Sequence, residues 1–203
     1  MINLSGVLKP NVHDELDTPR NQRFQILLSL LFSSQTKDPI NAACLSRFKA
    51  AKMANVEACQ QATEEKLAEM IRGVSFHKTK AKNLKKISDI LIEHFDSDIP
   101  RTIEGLVGLP GIGYKMGHLI MVAAWGEITG LAVDVHVHRT VNRLKWFKKT
   151  IEKPNDMMDA LMAEVPKEYW RDINYLIVGF GQQICFAKKP KCEECLNKSI
   201  CPY

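Results

Sequence analysis

Residues Leu109-Pro110-Gly111-Ile112-Gly113-Tyr114-Lys115 decide how this chain is read. A proline and two glycines break the backbone, and apolar residues at helical spacing flank the break. Ile103, Leu106 and Val107 precede it, and a helix fits Met116 to Ala124 after it. The stretch is therefore a tight turn between two helices. Glycine permits backbone conformations closed to other residues and leaves amide N–H groups uncovered. Uncovered amides at a helix N-terminus bind phosphate oxygens. A plain helix–turn–helix connector has the same composition, so the turn alone leaves both uses open.

Outward from the turn, helical periodicity continues in both directions. Phe24, Leu27, Leu28 and Leu31 recur at the spacing of one buried helix face, and Leu84, Ile87, Ile90 and Leu91 do the same. Lys78, Lys82, Lys85 and Lys86 occupy much of the remaining surface of that second stripe. Asp38-Pro39 reads as an N-cap followed by a first-turn proline. Further helices fit Val135 to Leu144, Asn155 to Ala163 and Lys167 to Ile184. Strand-like alternation is scarce, so the fold class is all-α. The longest apolar stretch, Ile26 to Phe32, is far short of the roughly 20 residues a membrane span needs. The opening Met-Ile-Asn-Leu-Ser-Gly has neither basic flank nor apolar core, and Asp14, Glu15 and Asp17 come early. No secretory signal or transit peptide is expected, and the compartment should be reducing.

The 203 residues carry 28 Lys+Arg against 23 Asp+Glu, a surplus of +5, with 45% hydrophobic and 25% charged residues. Those are globular values, which exclude disorder. The surplus is local: residues 135–153 hold six basic side chains (Arg139, Arg143, Lys145, Lys148, Lys149, Lys153) and one acid, Glu152. A basic field on one segment suits a polyanionic partner, though a solvated amphipathic helix has the same pattern. There His136, Arg139 and Arg143 share one face, and Val137, Val141 and Leu144 the other.

Four of the six cysteines, Cys185, Cys192, Cys195 and Cys201, are separated by six, two and five residues. Thiolates on one short loop surround a soft metal or an iron–sulfur cube. Structural zinc sites favour two tight Cys pairs, and only Cys192 and Cys195 form one, which favours a 4Fe-4S cluster. Between the ligands, Lys188, Lys189 and Lys191 stand without an acid, as a phosphate-gripping loop or a merely solvated one. Cys44 and Cys59 are expected to be buried as small hydrophobes.

Two residues have the makings of a reacting pair. Lys115 begins a helix, where the positive helix end favours the free amine over the ammonium. A free amine attacks carbonyl-like carbons and forms a Schiff base. Asp134 ends the apolar run Leu131-Ala132-Val133, where it either caps the next helix, presents a carboxylate to a lysine or developing sugar cation, or does both.

The glycine turn with Lys115, the segment Val133-Asp134-Val135-His136-Val137-His138-Arg139 and the cysteines at this spacing together resemble endonuclease III. That family belongs to the helix–hairpin–helix DNA glycosylases and AP lyases, and Lys115-Met116-Gly117-His118-Leu119 resembles its eukaryotic branch. The similarity runs from about Phe24 to Tyr203. It implies two helical lobes: a six-helix barrel with the helix–hairpin–helix motif over residues 16–128, and an iron–sulfur lobe made of residues 1–15 and 129–203. Double-stranded DNA with damaged bases or abasic sites would lie between them, bound by a monomer acting in the nucleus. Lys115 would be the nucleophile and Asp134 its carboxylate. Gln35 would fill the gap left by the extruded base, with Phe76 as the wedge, and the four cysteines would ligate a 4Fe-4S cluster. Leu109, Gly111 and Gly113 of the turn, His136, Arg139, Arg143 and the three loop lysines would hold DNA.

The resemblance implies removal of oxidised pyrimidines and strand cleavage by β-elimination. Two departures stand out: Ser75 where the family has glycine before the wedge, and Tyr114 before the lysine. The rivals are a monofunctional mismatch-type glycosylase, which lacks a lysine at this hairpin position, and a non-catalytic DNA-binding protein. Lys115 argues against the first, and Lys115 with Asp134 against the second.

Overall fold

The computed structural model describes residues 18–203. Residues 1–17, including the stretch 1–15 expected in the second lobe, lie outside the described residues. Ten α-helices and no strand occur among the described residues, so the chain is all-α. It divides into two compact units, one ending at Glu127 and one spanning Ile128–Tyr203.

The first unit is built around α1 (Pro19–Ser33), started by Thr18, whose Oγ1 accepts a hydrogen bond from the Asn21 amide. The sequence pattern shows one apolar face, but every residue from Phe24 to Phe32 is buried. A helix that is covered all round has neighbours on all sides. Here they include α2 (Asp38–Ala50) and α7 (Tyr114–Ile120). Asp38 differs slightly from expectation: Lys37 is the cap residue and Asp38 already lies in the first turn. A carboxylate is favoured there too, through the helix dipole.

Short helices α3 (Val56–Gln61) and α4 (Glu64–Met70) lead into α5 (His77–His94), and both pack against it. Leu84, Ile87 and Leu91 enter the core as their spacing predicts, whereas Ile90 is only half-buried at its edge. Lys78, Lys82 and Lys86 are exposed, whereas Lys80 is buried. Cys44 and Cys59 are fully buried as expected, and burial pushes the Cys59 thiol up to about 12.

Helix α6 (Ile103–Val107), the glycine turn and α7 form the hairpin. Helix α7 runs on into a wider π turn, Met121–Trp125, closed by Gly126 at φ +70°. Trp125 is held there: its indole N–H donates to Pro100 O (3.1 Å), and the Arg23 guanidinium stacks on its ring at 4.3 Å.

The second unit contains α8 (Val135–Arg143), α9 (Pro154–Glu164) and α10 (Trp170–Gln183). Its core is Leu131, Val133, Val137, Val141, Met157, Met158, Leu161 and Val165. The helix expected from Lys167 opens as a 3-10 turn over Lys167–Tyr169 before α10 begins. Helices α8 and α10 meet at Gly181, where an added Cβ would lie 2.9 Å from His136 Cβ. The cysteine loop follows α10 and includes a short 3-10 turn, Cys192–Glu194. No helix among the described residues is long and apolar enough to cross a membrane.

Candidate functional site

The hairpin turn is anchored by its apolar residues and open at its glycines. Leu109 and Ile112 are buried, and their amides donate to Leu106 O (3.1 Å) and Leu109 O (3.2 Å). The Leu109 side chain is thus part of the core and its amide is bonded within the turn. Gly111 adopts φ +82°, and an added Cβ there would come within 2.6 Å of Asn83 Nδ2. Glycine is required at that position on both counts. Gly113 has an ordinary φ of −100°, with nothing within 4 Å of where a Cβ would stand. The amides of Gly111 and Gly113 have no partner among the described residues.

The helix starts fall into two groups. Thr18, Asn55, Thr63, Thr102 and Asp134 each cap their own helix through a side-chain oxygen. Helix α7, like α2, α5, α9 and α10, has no side-chain cap. What sets α7 apart among the described residues is the pair of unbonded glycine amides just before it. Lys115 is the second residue of α7 and is exposed, without hydrogen bond or ion pair among the described residues.

Gln35 and Phe76 are brought together although they are far apart in sequence. Gln35 follows α1 and Phe76 precedes α5; both are exposed, Phe76 by 65%, and both are left-handed, at φ 55° and 57°. Phe76 is thus not a core phenylalanine. The residue between them in space is Ser75, whose hydroxyl donates to Gln35 O (2.6 Å) and whose amide donates to Thr36 Oγ1 (3.1 Å). Ser75, a departure from the family pattern, links the two loops.

In the second unit Asp134 is the N-cap of α8. Its Oδ1 accepts from the amides of His136 (2.9 Å) and Val137 (2.8 Å), and Oδ2 has no hydrogen bond among the described residues. One oxygen fixes the carboxylate and the other is free for chemistry. His136 is half-buried, its Nδ1 3.2 Å from Arg139 Nη2.

Arg139 and Arg143 do not project outward as the basic-face pattern predicts. Arg139 donates to Gly181 O (2.9 Å) and Cys185 O (2.8 Å). Arg143 donates to Phe186 O (2.8 Å), lies 3.4 Å from Cys185 Sγ and stacks on Tyr203 at 4.2 Å. Both guanidinium groups satisfy carbonyls where α10 ends and the cysteine loop begins. Lys191 is also engaged, with Glu194 at 3.7 Å, whereas Lys188 and Lys189 are exposed and unpaired among the described residues.

All four loop cysteines are free thiols lining one cavity of about 250 Å³, together with Arg143, Phe180, Ile184 and Tyr203. No three ligating side chains among the described residues converge as they would around a single ion. Four thiols facing one cavity at the end of one helix are donors of the kind an iron–sulfur group takes. Arg143 beside Cys185 Sγ supplies positive charge where a thiolate-ligated cluster is anionic. The donor set fits a 4Fe-4S group.

The sequence pattern described as HhH-GPD superfamily base excision DNA repair protein matches residues 28–167. Endonuclease III-like protein 1 of Bos taurus is 44% identical over 189 residues, covering 93% of this chain and 62% of the relative. This chain thus spans less than two thirds of that protein. The endonuclease III homolog of Encephalitozoon cuniculi is 40% identical over 198 residues, covering 91% of this chain and 81% of the relative. Among solved structures, a trapped endonuclease III–DNA covalent intermediate superposes with a TM-score of 0.81 at 27% identity, covering 98% of this chain and 92% of that one.

Proposed function

This chain belongs to the HhH-GPD superfamily of base excision DNA repair proteins, and from that membership we propose that it is a bifunctional DNA glycosylase. It removes oxidised pyrimidines and then cleaves the abasic site by β-elimination, in the nucleus and as a monomer. The observation that carries the reading is the placement of Lys115: exposed on the first turn of α7, directly after unbonded glycine amides at an uncapped helix start. The trapped covalent complex formed by a similar protein supports a covalent route.

The chemistry follows from these residues. A lesion inside the stack is out of reach, so its nucleotide must be extruded at a cost of a few kcal/mol. Gln35 and Phe76 enter the duplex to fill the gap. The hairpin amides, the lysines of α5 and of the cysteine loop, and His136 hold the DNA backbone. Arg139 and Arg143 act indirectly, by fixing the loop that carries Lys188 and Lys189. The neutral Lys115 amine attacks the anomeric carbon, and the glycosidic bond breaks with its electron pair leaving on the base, which takes up a proton. The amine loses a proton, the sugar ring opens, and an imine joins lysine to sugar. Asp134, through its unbonded oxygen, stabilises positive charge on the sugar and accepts a proton from Lys115. The imine acidifies the adjacent carbon; loss of a proton there expels the 3′ phosphate. No external oxidant or reductant is needed.

Cys185, Cys192, Cys195 and Cys201 would hold a 4Fe-4S cluster, which would supply cross-links that stiffen the loop. Purified protein should be brown and contain about four irons per chain; colourless protein with one zinc would overturn the assignment. The function itself is tested on a duplex with one thymine glycol. The expected product is a strand cut on the 3′ side of the lesion with release of the base. Base release without a cut would instead identify a monofunctional glycosylase.

A further inference from the structure

The C-terminus of α1 is satisfied carbonyl by carbonyl. Ser33 Oγ donates to Leu30 O (2.8 Å), Ser34 Oγ to Leu31 O (3.4 Å) and the Thr36 amide to Ser33 O (3.0 Å). Phe32 O and Ser34 O both accept from Lys80 Nζ, at 3.1 Å and 2.7 Å, and Ser34 O also accepts from Thr36 Oγ1 at 3.3 Å. The next carbonyl, Gln35 O, accepts from Ser75 Oγ. Lys80 reaches this point from the first turn of α5, where its own amide donates to Phe76 O (2.9 Å). That amide bond is the ordinary one of a first helical turn; the side chain is what ties α5, four residues after Phe76, to the end of α1, just before Gln35.

Lys80 is only 6% exposed and no carboxylate among the described residues pairs with it. Burial lowers its affinity for a proton relative to an ordinary lysine. Such a residue is unfavourable as general core filling and favourable at the negative end of a helix. Its two contacts hold the end of α1 at the step into Gln35, whose left-handed backbone a side chain adopts only where the surroundings impose it. Phe76 is left-handed for the same reason on the other side.

We propose that Lys80 is a positioning residue for base extrusion: it clamps Gln35 and Phe76 into one rigid pair without itself touching DNA. Ser75 is its accessory, completing the tie between the two loops. This rests on reading Gln35 and Phe76 as the residues that enter the duplex. Loosening the clamp then slows the extrusion step and leaves the lysine chemistry at an already vacant site alone.

The test compares single-turnover cleavage of duplex thymine glycol with cleavage at a preformed abasic site. Lys80→Met should slow the first by about tenfold and the second by no more than about threefold. Lys80→Arg, which keeps a cationic donor, should recover most of the loss. A 2-aminopurine opposite the lesion should report slower unstacking in Lys80→Met. Because a buried lysine variant risks misfolding, Ser75→Ala repeats the comparison at a half-buried position and should change the two rates in the same unequal way. Equal losses on both substrates, or none on either, overturn the positioning role. A wild-type chain inactive on both substrates overturns the glycosylase–lyase reading itself.

Discussion

Lys115→Ala should abolish covalent capture of the chain on DNA. With borohydride present, the wild type should become fixed to a duplex bearing an abasic site, because reduction converts the lysine–sugar imine into a stable amine. The variant has no amine on the first turn of α7, and capture should fall by about a thousandfold or more. Folding should be unaffected, since Lys115 is exposed and has no partner among the described residues. The measurement is the yield of protein–DNA adduct on a denaturing gel, with the thermal midpoint as the control for folding. Undiminished capture by the variant would falsify the assignment of the nucleophile. Retained DNA binding with capture lost would place the defect in bond formation.

The second large effect is expected at Asp134, where two uses of one carboxylate are separable by choice of substitution. Asn retains an Oδ1 that accepts from the His136 and Val137 amides, so α8 keeps its cap. Folding stability should move by less than about 1 kcal/mol, because Asn and Asp are comparable caps and only the charge–dipole attraction is lost. Turnover should nevertheless fall by about 10²- to 10⁴-fold, the usual contribution of a positioned proton acceptor. Asp134→Ala should lose the same turnover and in addition about 1–2 kcal/mol of stability. Denaturant unfolding alongside single-turnover rates distinguishes the outcomes. If Asp134→Asn turns over at the wild-type rate, the carboxylate is a helix cap and nothing more.

Local patterns along the chain carried much of the fold. The stripe Leu84, Ile87, Leu91 is buried as read, and the break at residues 109–113 is a turn between two helices. The same holds for the cysteine loop, whose four thiols line one cavity. Each of these depends on spacing within a few residues, which the backbone converts directly into a shared face or a shared loop. Boundaries were less legible: Asp38 lies one position further into α2 than a cap, and α10 begins after a 3-10 turn. One signal was available and not read. Lys80 sits in register with Leu84, Ile87 and Leu91, so a cation on an otherwise apolar face marks a residue with an internal partner.

Arg139, Arg143 and Gln35 show where a one-dimensional pattern stops. Arg139 and Arg143 have the spacing of a basic surface, yet their guanidinium groups bond carbonyls 42 to 46 positions away. Whether Phe76 is core or exposed likewise depended on what packs around it, and its link to Gln35 crosses 40 positions through Ser75. The sequence alone determined the all-α class, the hairpin turn and the cysteine set, and it singled out the two residues proposed to react, because periodicity and residue type are local properties. Only the tertiary structure decided which basic groups face water and which satisfy buried carbonyls. That choice is set by the unpaired main-chain groups left where α1 and α10 end, and those groups find their donors only when distant segments meet.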